Sequence, residues 1–128
     1  MVTDYRAFGM TVIGASHIKS GTVCQDFSLS CELPDRRISV VCDGHGGADY
    51  FRSDRGSRFA AEAFTECMKD PDVISVLSAA ATQKQQSGRI EQLIKSIIAR
   101  WNELVERDIK EHPFGEDELS NISEKARN

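Results

Sequence analysis

The sequence lacks several features that would point to particular classes of protein. No apolar run approaches the roughly 18 residues that a membrane-spanning helix needs, and the first ten residues carry neither the apolar core nor the cleavage site of a signal peptide. No cluster of Lys and Arg with interleaved aromatic residues suggests nucleic-acid binding, and the net charge is only -4. These absences predict a soluble, cytoplasmic protein that binds neither a membrane nor nucleic acid.

The four cysteines lack the spacing of a metal or redox motif. Cys24, Cys31, Cys42 and Cys67 form no C-x-x-C pair, and three of them lie among strand-like residues, where a small buried thiol is common. Because the sequence shows no secretory signal, we expect these cysteines to be reduced.

The composition that remains fits one globular domain. The chain has 128 residues, of which 40% are hydrophobic and 28% are charged, and these values are ordinary for a soluble protein. A chain of this length can bury roughly two-thirds of its unfolded surface around one core.

The apolar pattern of the first third predicts three strands within residues 7–45. Apolar side chains alternate over 7–15 and again over 27–33, which is the period of a strand with one buried face. The third run, 38–42, is apolar on both faces, as expected for a covered strand. Because only a short link containing Pro34 separates the second and third runs, they should form an antiparallel hairpin.

The rest of the chain shows the apolar spacing of helices. This spacing predicts helices over about 48–69, 72–81 and 89–111, whereas the polar stretch 82–88 predicts a loop. The tail, 114–128, is polar and is either a short helix or a frayed end. Three strands followed by helices indicate an α+β fold, an antiparallel sheet on which we expect the long helices to pair antiparallel.

The stretch Asp43-Gly44-His45-Gly46-Gly47 follows directly after the third predicted strand. A carboxylate at a strand end can ligate a hard cation such as Mg²⁺ or Mn²⁺, and the carbonyl of Gly44 is not obstructed by a side chain. Glycines also let the backbone come close to a bound group. From composition alone, a plain glycine-rich turn with a solvated Asp43 is the other interpretation, and His45 could simply hydrogen-bond that turn.

These five residues resemble the DGHGG signature of the PP2C (PPM) family of metal-dependent serine/threonine protein phosphatases, where it also lies between a core strand and a long helix. Residues 16–30, SHIKSGTVCQDFSLS, resemble the bacterial PP2C segment that carries an aspartate at the start of the second strand, here Asp26. Residues 49–57 are similar to a bacterial subgroup with an FRSD-like helix start. The resemblance covers essentially the whole chain and implies the amino-terminal half of the family's α/β/β/α sandwich.

The resemblance also implies roles for individual residues. In this family two divalent cations, Mn²⁺ or Mg²⁺, share a water that attacks the phosphorus of a phosphoserine or phosphothreonine in a protein substrate. By resemblance, Asp43 bridges the two metals, Gly44 offers its carbonyl, and Asp26 lies close to the metals. His45 matches the family's general acid, which protonates the leaving oxygen.

One departure from the family concerns the substrate phosphate. The family usually carries an arginine four residues before the Glu or Gln of its first motif, and that position is Gly21 here. Lys19 or His17 could contact the phosphate instead, although a point charge is a poorer clamp than a bidentate guanidinium. Two solvated side chains are an equally good interpretation of these residues.

A second departure is that the family's later metal aspartates have no counterpart. No further Asp-Gly pair follows Gly44, and no Asn-Asp pair follows it either. We therefore expect a phosphatase fragment that is inactive alone, and the alternative is a non-catalytic regulatory or interaction module derived from a PP2C half-domain. Half a sandwich leaves the apolar inner face of its sheet uncovered, so a homodimer is also expected. That face is expected to consist of Phe8, Met10, Val12, Phe27, Leu29, Ile38 and Val40.

Overall fold

The computed structural model describes residues 4–78 and 82–127 as an antiparallel β-hairpin with packed helices. This arrangement confirms the predicted α+β fold class. In chain order the elements are α1 (Ala15–Ser20), β1 (Phe27–Glu32), β2 (Arg37–Cys42), a 3₁₀ turn (Ala48–Tyr50), α2 (Ser53–Lys69), α3 (Pro71–Ser78), α4 (Gln83–Glu111), α5 (Glu116–Ser120) and α6 (Glu124–Arg127).

The hairpin of β1 and β2 has the antiparallel pairing that the short link predicts. Its register pairs Phe27 with Cys42 at one end and Glu32 with Arg37 at the other. The turn closes where the backbone N–H of Leu33 donates to the carbonyl of Arg36 at 2.9 Å. The hairpin register therefore fixes which residues of the two strands lie side by side.

The strand predicted over 7–15 is not formed, so that prediction is wrong. Residues 4–14 take no regular secondary structure, and α1 begins at Ala15. This segment is joined to β1 through a side chain, because the backbone N–H of Ala7 donates to the Glu32 carboxylate at 3.0 Å. Its alternating apolar side chains stay in solvent, and Phe8 is 90% exposed. The alternating pattern indicates an extended chain. A strand also needs a neighbouring backbone with which to form hydrogen bonds, and the pattern alone does not provide one.

The two long helices pack antiparallel, and α2 forms the layer between α4 and the hairpin. Arg55 near the start of α2 pairs with Asp108 near the end of α4, whereas Glu66 near the end of α2 pairs with Arg100 farther back in α4. Small side chains on α2 allow this close packing. The buried apolar residues in the described part of the chain are Ile38, Ala61, Ala63 and Leu104.

The observed helix boundaries differ from the predicted ones in three places. The helix predicted over about 48–69 is observed as the 3₁₀ turn followed by α2, which begins at Ser53. The helix predicted over 72–81 is observed as α3, and residues 79–81 lie outside the described residues. The loop predicted over 82–88 is wrong, because α4 already begins at Gln83. Thr82 caps this helix: its hydroxyl accepts from the backbone N–H of Gln85, whose side chain accepts from the N–H of Thr82. This reciprocal cap stabilises a first turn that has no apolar periodicity.

The polar tail folds back onto the start of α2 and contains the short helices α5 and α6. We call residues 112–123 the strap. Arg52 donates to both carboxylate oxygens of Glu118 at 2.8 Å and to the carbonyl of His112 at 2.7 Å. Its guanidinium also lies 4.7 Å from the ring centroid of Phe114. The Arg52 side chain is only 16% exposed, so this charged group is largely enclosed by the strap.

A second contact holds the far end of the strap. The carboxylate of Asp49 accepts from the backbone N–H of Ser123 at 2.6 Å and from its hydroxyl at 2.8 Å. The strap is thus fixed at both of its ends to the segment that precedes α2. Within the described ranges, no helix is both long and apolar enough to span a membrane.

The Arg52–Glu118 pair makes stability depend on pH in a defined direction. The hydrogen bonds from Arg52, then the backbone N–H of Gly115, lower the pKa of Glu118 from its ordinary 4.5 to about 2. Because this pKa is lowered by folding, the stabilisation is complete above pH 4.5 and is lost as the pH falls toward 2. In urea unfolding, Glu118→Gln should therefore be less stable than the wild type near neutral pH, and the difference should narrow in acid.

The matched control is Glu103→Gln, which removes another glutamate paired with an arginine, Arg100, on the exposed surface of α4. Exposed pairs of this kind contribute little to stability. A difference between wild type and Glu118→Gln that stays constant from neutral pH into acid would contradict the assigned pKa shift.

Candidate active site

The two aspartates singled out from the sequence lie at the same end of the hairpin. Since the register pairs Phe27 with Cys42, Asp26 and Asp43 are the next residues on the two neighbouring strands. Both are exposed, and both line a cavity of about 410 Å³. We call Asp26 and Asp43 the carboxylate edge. The hairpin brings these residues together although they belong to different sequence motifs.

Gly44 lies where the loop after β2 passes against the backbone of Gln25. A Cβ atom at position 44 would be 2.3 Å from the carbonyl oxygen of Gln25 and 2.8 Å from its Cβ, closer than real side chains approach. The buried Ser57 of α2 donates its hydroxyl to the same carbonyl at 2.5 Å. Packing against Gln25 therefore requires a glycine at this position, independently of any use of the Gly44 carbonyl as a ligand.

His45 is exposed beside the carboxylate edge and is oriented by two contacts. Its Nδ1 lies 2.8 Å from the carbonyl of Gly46, and its ring stacks on Tyr50 with centroids 4.0 Å apart and planes 24° apart. A carbonyl only accepts, so Nδ1 carries the hydrogen in this contact, and Nε2 is the nitrogen that can take up or release a proton. The hydrogen bond to the turn, one of the two interpretations of His45, is thus compatible with acid-base chemistry at Nε2.

Tyr50 is a residue of the site that the sequence analysis missed. Gly47 turns the chain toward it with φ 131°, a value that L side chains rarely adopt, and the N–H of Tyr50 donates to the Gly47 carbonyl at 3.0 Å. The turn returns the chain so that the Tyr50 ring meets His45. The signal for Tyr50 that the sequence offered was an aromatic residue five positions after His45.

A second cavity, of about 520 Å³, lies behind the motif between α2 and α4. Its lining includes the aromatic side chains of Phe51 and Trp101 as well as Asp43 and His45 of the motif. Burial raises the pKa of the Cys42 thiol, which also lines this cavity. A thiol with a raised pKa is a poor nucleophile, so Cys42 is not suited to covalent catalysis at neutral pH.

The candidate phosphate contacts, His17 and Lys19, lie on α1. Within residues 4–78 and 82–127, neither side chain lines the cavity at the carboxylate edge. Their proposed contact with phosphate stays a prediction. Gly21, where the family resemblance leads us to expect an arginine, ends α1 in a left-handed conformation with φ 70°, and its N–H donates to the Ile18 carbonyl at 3.4 Å. Glycine is the residue best suited to this helix end.

The donor chemistry of the site fits a hard cation only in part. Carboxylate and carbonyl oxygens are the ligands that Mg²⁺ and Mn²⁺ prefer, and Asp26 and Asp43 supply two carboxylates. Such ions take about six ligands, however. In the part of the chain that the structure describes, no group of three or more His, Cys, Asp and Glu side chains is arranged to hold a metal ion. Asp26 and Asp43 could therefore supply only part of the ligands that such an ion needs.

Comparison with known proteins gives one match. A family model described as Protein phosphatase 2C matches residues 13–126, a range that includes the carboxylate edge, the glycine-rich motif and all of α4. The comparisons with curated proteins and with solved structures find no match.

The close approach at Gly44 predicts that substitution by alanine lowers the unfolding free energy much more at Gly44 than at the nearby Gly46. Gly44→Ala places a methyl group against the Gln25 carbonyl, so the loop must move, and overpacking of this kind costs about 1–3 kcal/mol of unfolding free energy. Gly46→Ala is the matched control, because its nearest neighbour is the end of the Gln25 side chain at 3.5 Å. Urea unfolding of both variants would measure the difference, and equal stability would contradict the close packing.

Proposed function

Because the chain belongs to the protein phosphatase 2C family, we propose that its carboxylate edge serves the hydrolysis of phosphoserine and phosphothreonine in proteins. The observation that carries the proposal is the hairpin register, which sets Asp26 beside Asp43 with His45 in the adjoining loop. Two hard anionic ligands next to an oriented imidazole are the groups that metal-assisted phosphoester hydrolysis requires.

The proposed cofactor is Mn²⁺ or Mg²⁺, with two ions in the complete enzyme. When bound, these ions would supply a water of lowered pKa as the nucleophile. Asp26, Asp43 and the carbonyl of Gly44 would hold one side of that site. The remaining ligands would have to come from outside the described residues, since those contain no larger metal-ligating group.

The residues of this chain have separate tasks in the proposal. The carboxylate edge holds negative oxygens at the end of a rigid hairpin, and His45 donates a proton from Nε2 to the leaving serine or threonine oxygen. The contact between Nδ1 and the Gly46 carbonyl supports this role, because it keeps the ring in one orientation. Lys19 and His17 are proposed to contact the substrate phosphate if α1 approaches it.

A second candidate function is a regulatory or interaction module without catalysis. Two observations favour it: the described residues hold no complete metal-ligating group, and an apolar surface is exposed beside the carboxylate edge. We call this the apolar face. It consists of Phe8, Met10, Val12 and Val41, each between 73% and 90% exposed.

The decisive assay uses the protein produced from its natural reading frame, with a phosphothreonine peptide and Mn²⁺. We expect metal-dependent phosphate release. Asp43→Asn should abolish it, and His45→Gln should lower the rate about 10²- to 10⁴-fold, the usual contribution of a general acid. Glu106→Gln, an exposed carboxylate-to-amide change on α4, is the matched control and should have no effect.

For the 128-residue chain by itself, we expect weak Mn²⁺ binding and negligible hydrolysis of p-nitrophenyl phosphate, because two carboxylates compete poorly with the hydration shell of the ion.

Full activity in Asp43→Asn would contradict the phosphatase proposal. Binding of the phosphopeptide without turnover by the natural protein would favour the module instead.

We also propose that a second copy of the chain covers the apolar face. This is not the sheet face expected from the sequence, because α2 packs against the hairpin and Ile38 is buried, whereas Val41 is exposed. Burial of each such side chain is worth roughly 1.5–3 kcal/mol, and this gain would favour association. Light scattering should give twice the monomer mass, and Val41→Asp should return the chain to a monomer. Ile98→Asp, which places the same charge at a half-exposed position on α4, is the control. A monodisperse wild-type monomer that binds little hydrophobic dye would contradict the dimer.

A further inference from the structure

The strap contacts the segment between the glycine-rich motif and α2 on both sides of Tyr50. On one side the Asp49 carboxylate holds Ser123. On the other side Phe51 and Arg52 contact the strap. The three contacts are Ser123 to Asp49, the edge-on packing of Phe114 against Phe51 at 5.6 Å, and the paired hydrogen bonds from Arg52 to Glu118.

Tyr50 itself is half exposed. Its ring is 49% exposed and stacks on His45, and the 3₁₀ turn that carries it has no side-chain cap at its start. A single 3₁₀ turn that is closed by one backbone hydrogen bond has little stability when it is isolated. Contacts to the residues immediately before and after Tyr50 therefore limit where its ring can lie.

We propose that the strap positions His45 by fixing Tyr50: the contacts at Asp49, Phe51 and Arg52 hold the turn, and the turn holds the Tyr50 ring against the imidazole. Tyr50, Arg52 and Glu118 are then positioning residues, since they act through the imidazole of His45. The inference deepens the proposed phosphatase function, on which its catalytic meaning rests, whereas the stacking itself can be measured without turnover.

The charges of the strap fit this role. Arg52 lies between Glu118 at 2.8 Å and Asp108 at 3.8 Å, so its charge is balanced by the tail on one side and by α4 on the other. His112 at the end of α4 also lies 3.2 Å from Asp108. The strap is therefore anchored to the pair of long helices, and movement of the tail relative to α4 would be transmitted to Arg52 and then to the turn.

The test observes the ring protons of His45 by NMR in the 128-residue chain, assigned by their loss in His45→Gln. Tyr50→Ala defines the signal of an unstacked imidazole, and Tyr50→Phe, which keeps an aromatic ring, should preserve the stacked signal. Two variants that release the strap follow: a chain ending at His112, and the double variant Glu118→Gln with Asp49→Ala, which removes the acceptor of both hydrogen bonds from Ser123. In both, we expect the His45 signals to move most of the way to their positions in Tyr50→Ala.

Glu103→Gln is the control, because it breaks an arginine–glutamate pair on α4 that does not involve the strap, and it should leave His45 unchanged. His17 on α1 serves as an internal reference in every spectrum. The proposal is overturned if His45 keeps its wild-type signals in either strap variant, or if Tyr50→Ala does not move them. Strap-dependent stacking in a natural protein that hydrolyses no phosphoester would refute the phosphatase function and leave the positioning role intact.

Discussion

The backbone carbonyl of Gln25 is the point at which three parts of the molecule meet. It lies two residues before β1, it accepts a hydrogen bond from the hydroxyl of Ser57 in α2, and it occupies the space that a side chain on Gly44 would need. A loop can pass this closely to another segment of backbone only without a side chain. The position of the carboxylate edge relative to α2 depends on this junction.

The features that the sequence predicts well are those that local patterns determine. The hairpin follows from two apolar runs separated by a short turn at Pro34, and the register then brings Asp26 beside Asp43. The long helices follow from their apolar spacing. The failures have different physical causes: residues 7–15 alternate without a strand partner, and the start of α4 depends on the Thr82 cap rather than on apolar residues.

The strap could not be predicted because its contacts join residues that are far apart in the chain and are mostly polar. Arg52 and Glu118 are unremarkable as single charged residues, and only the fold brings them to 2.8 Å. Arg36 behaves similarly, since it donates to the carbonyls of Met68 and Asp70 at the end of α2. In each case an arginine satisfies carbonyls that a helix end leaves without partners, an interaction that leaves no periodic signal in the sequence.

Gly21, which ends α1 in a left-handed conformation, limits which substitutions this position can accept. The resemblance to the family leads us to expect an arginine at this position, yet a side chain at Gly21 would be held at φ 70° at a cost of about 1–2 kcal/mol. A single codon change to arginine would therefore weaken the end of α1 while adding the guanidinium. An arginine at this position would be tolerated better if other substitutions had first remodelled the end of α1, so the order of the substitutions would matter.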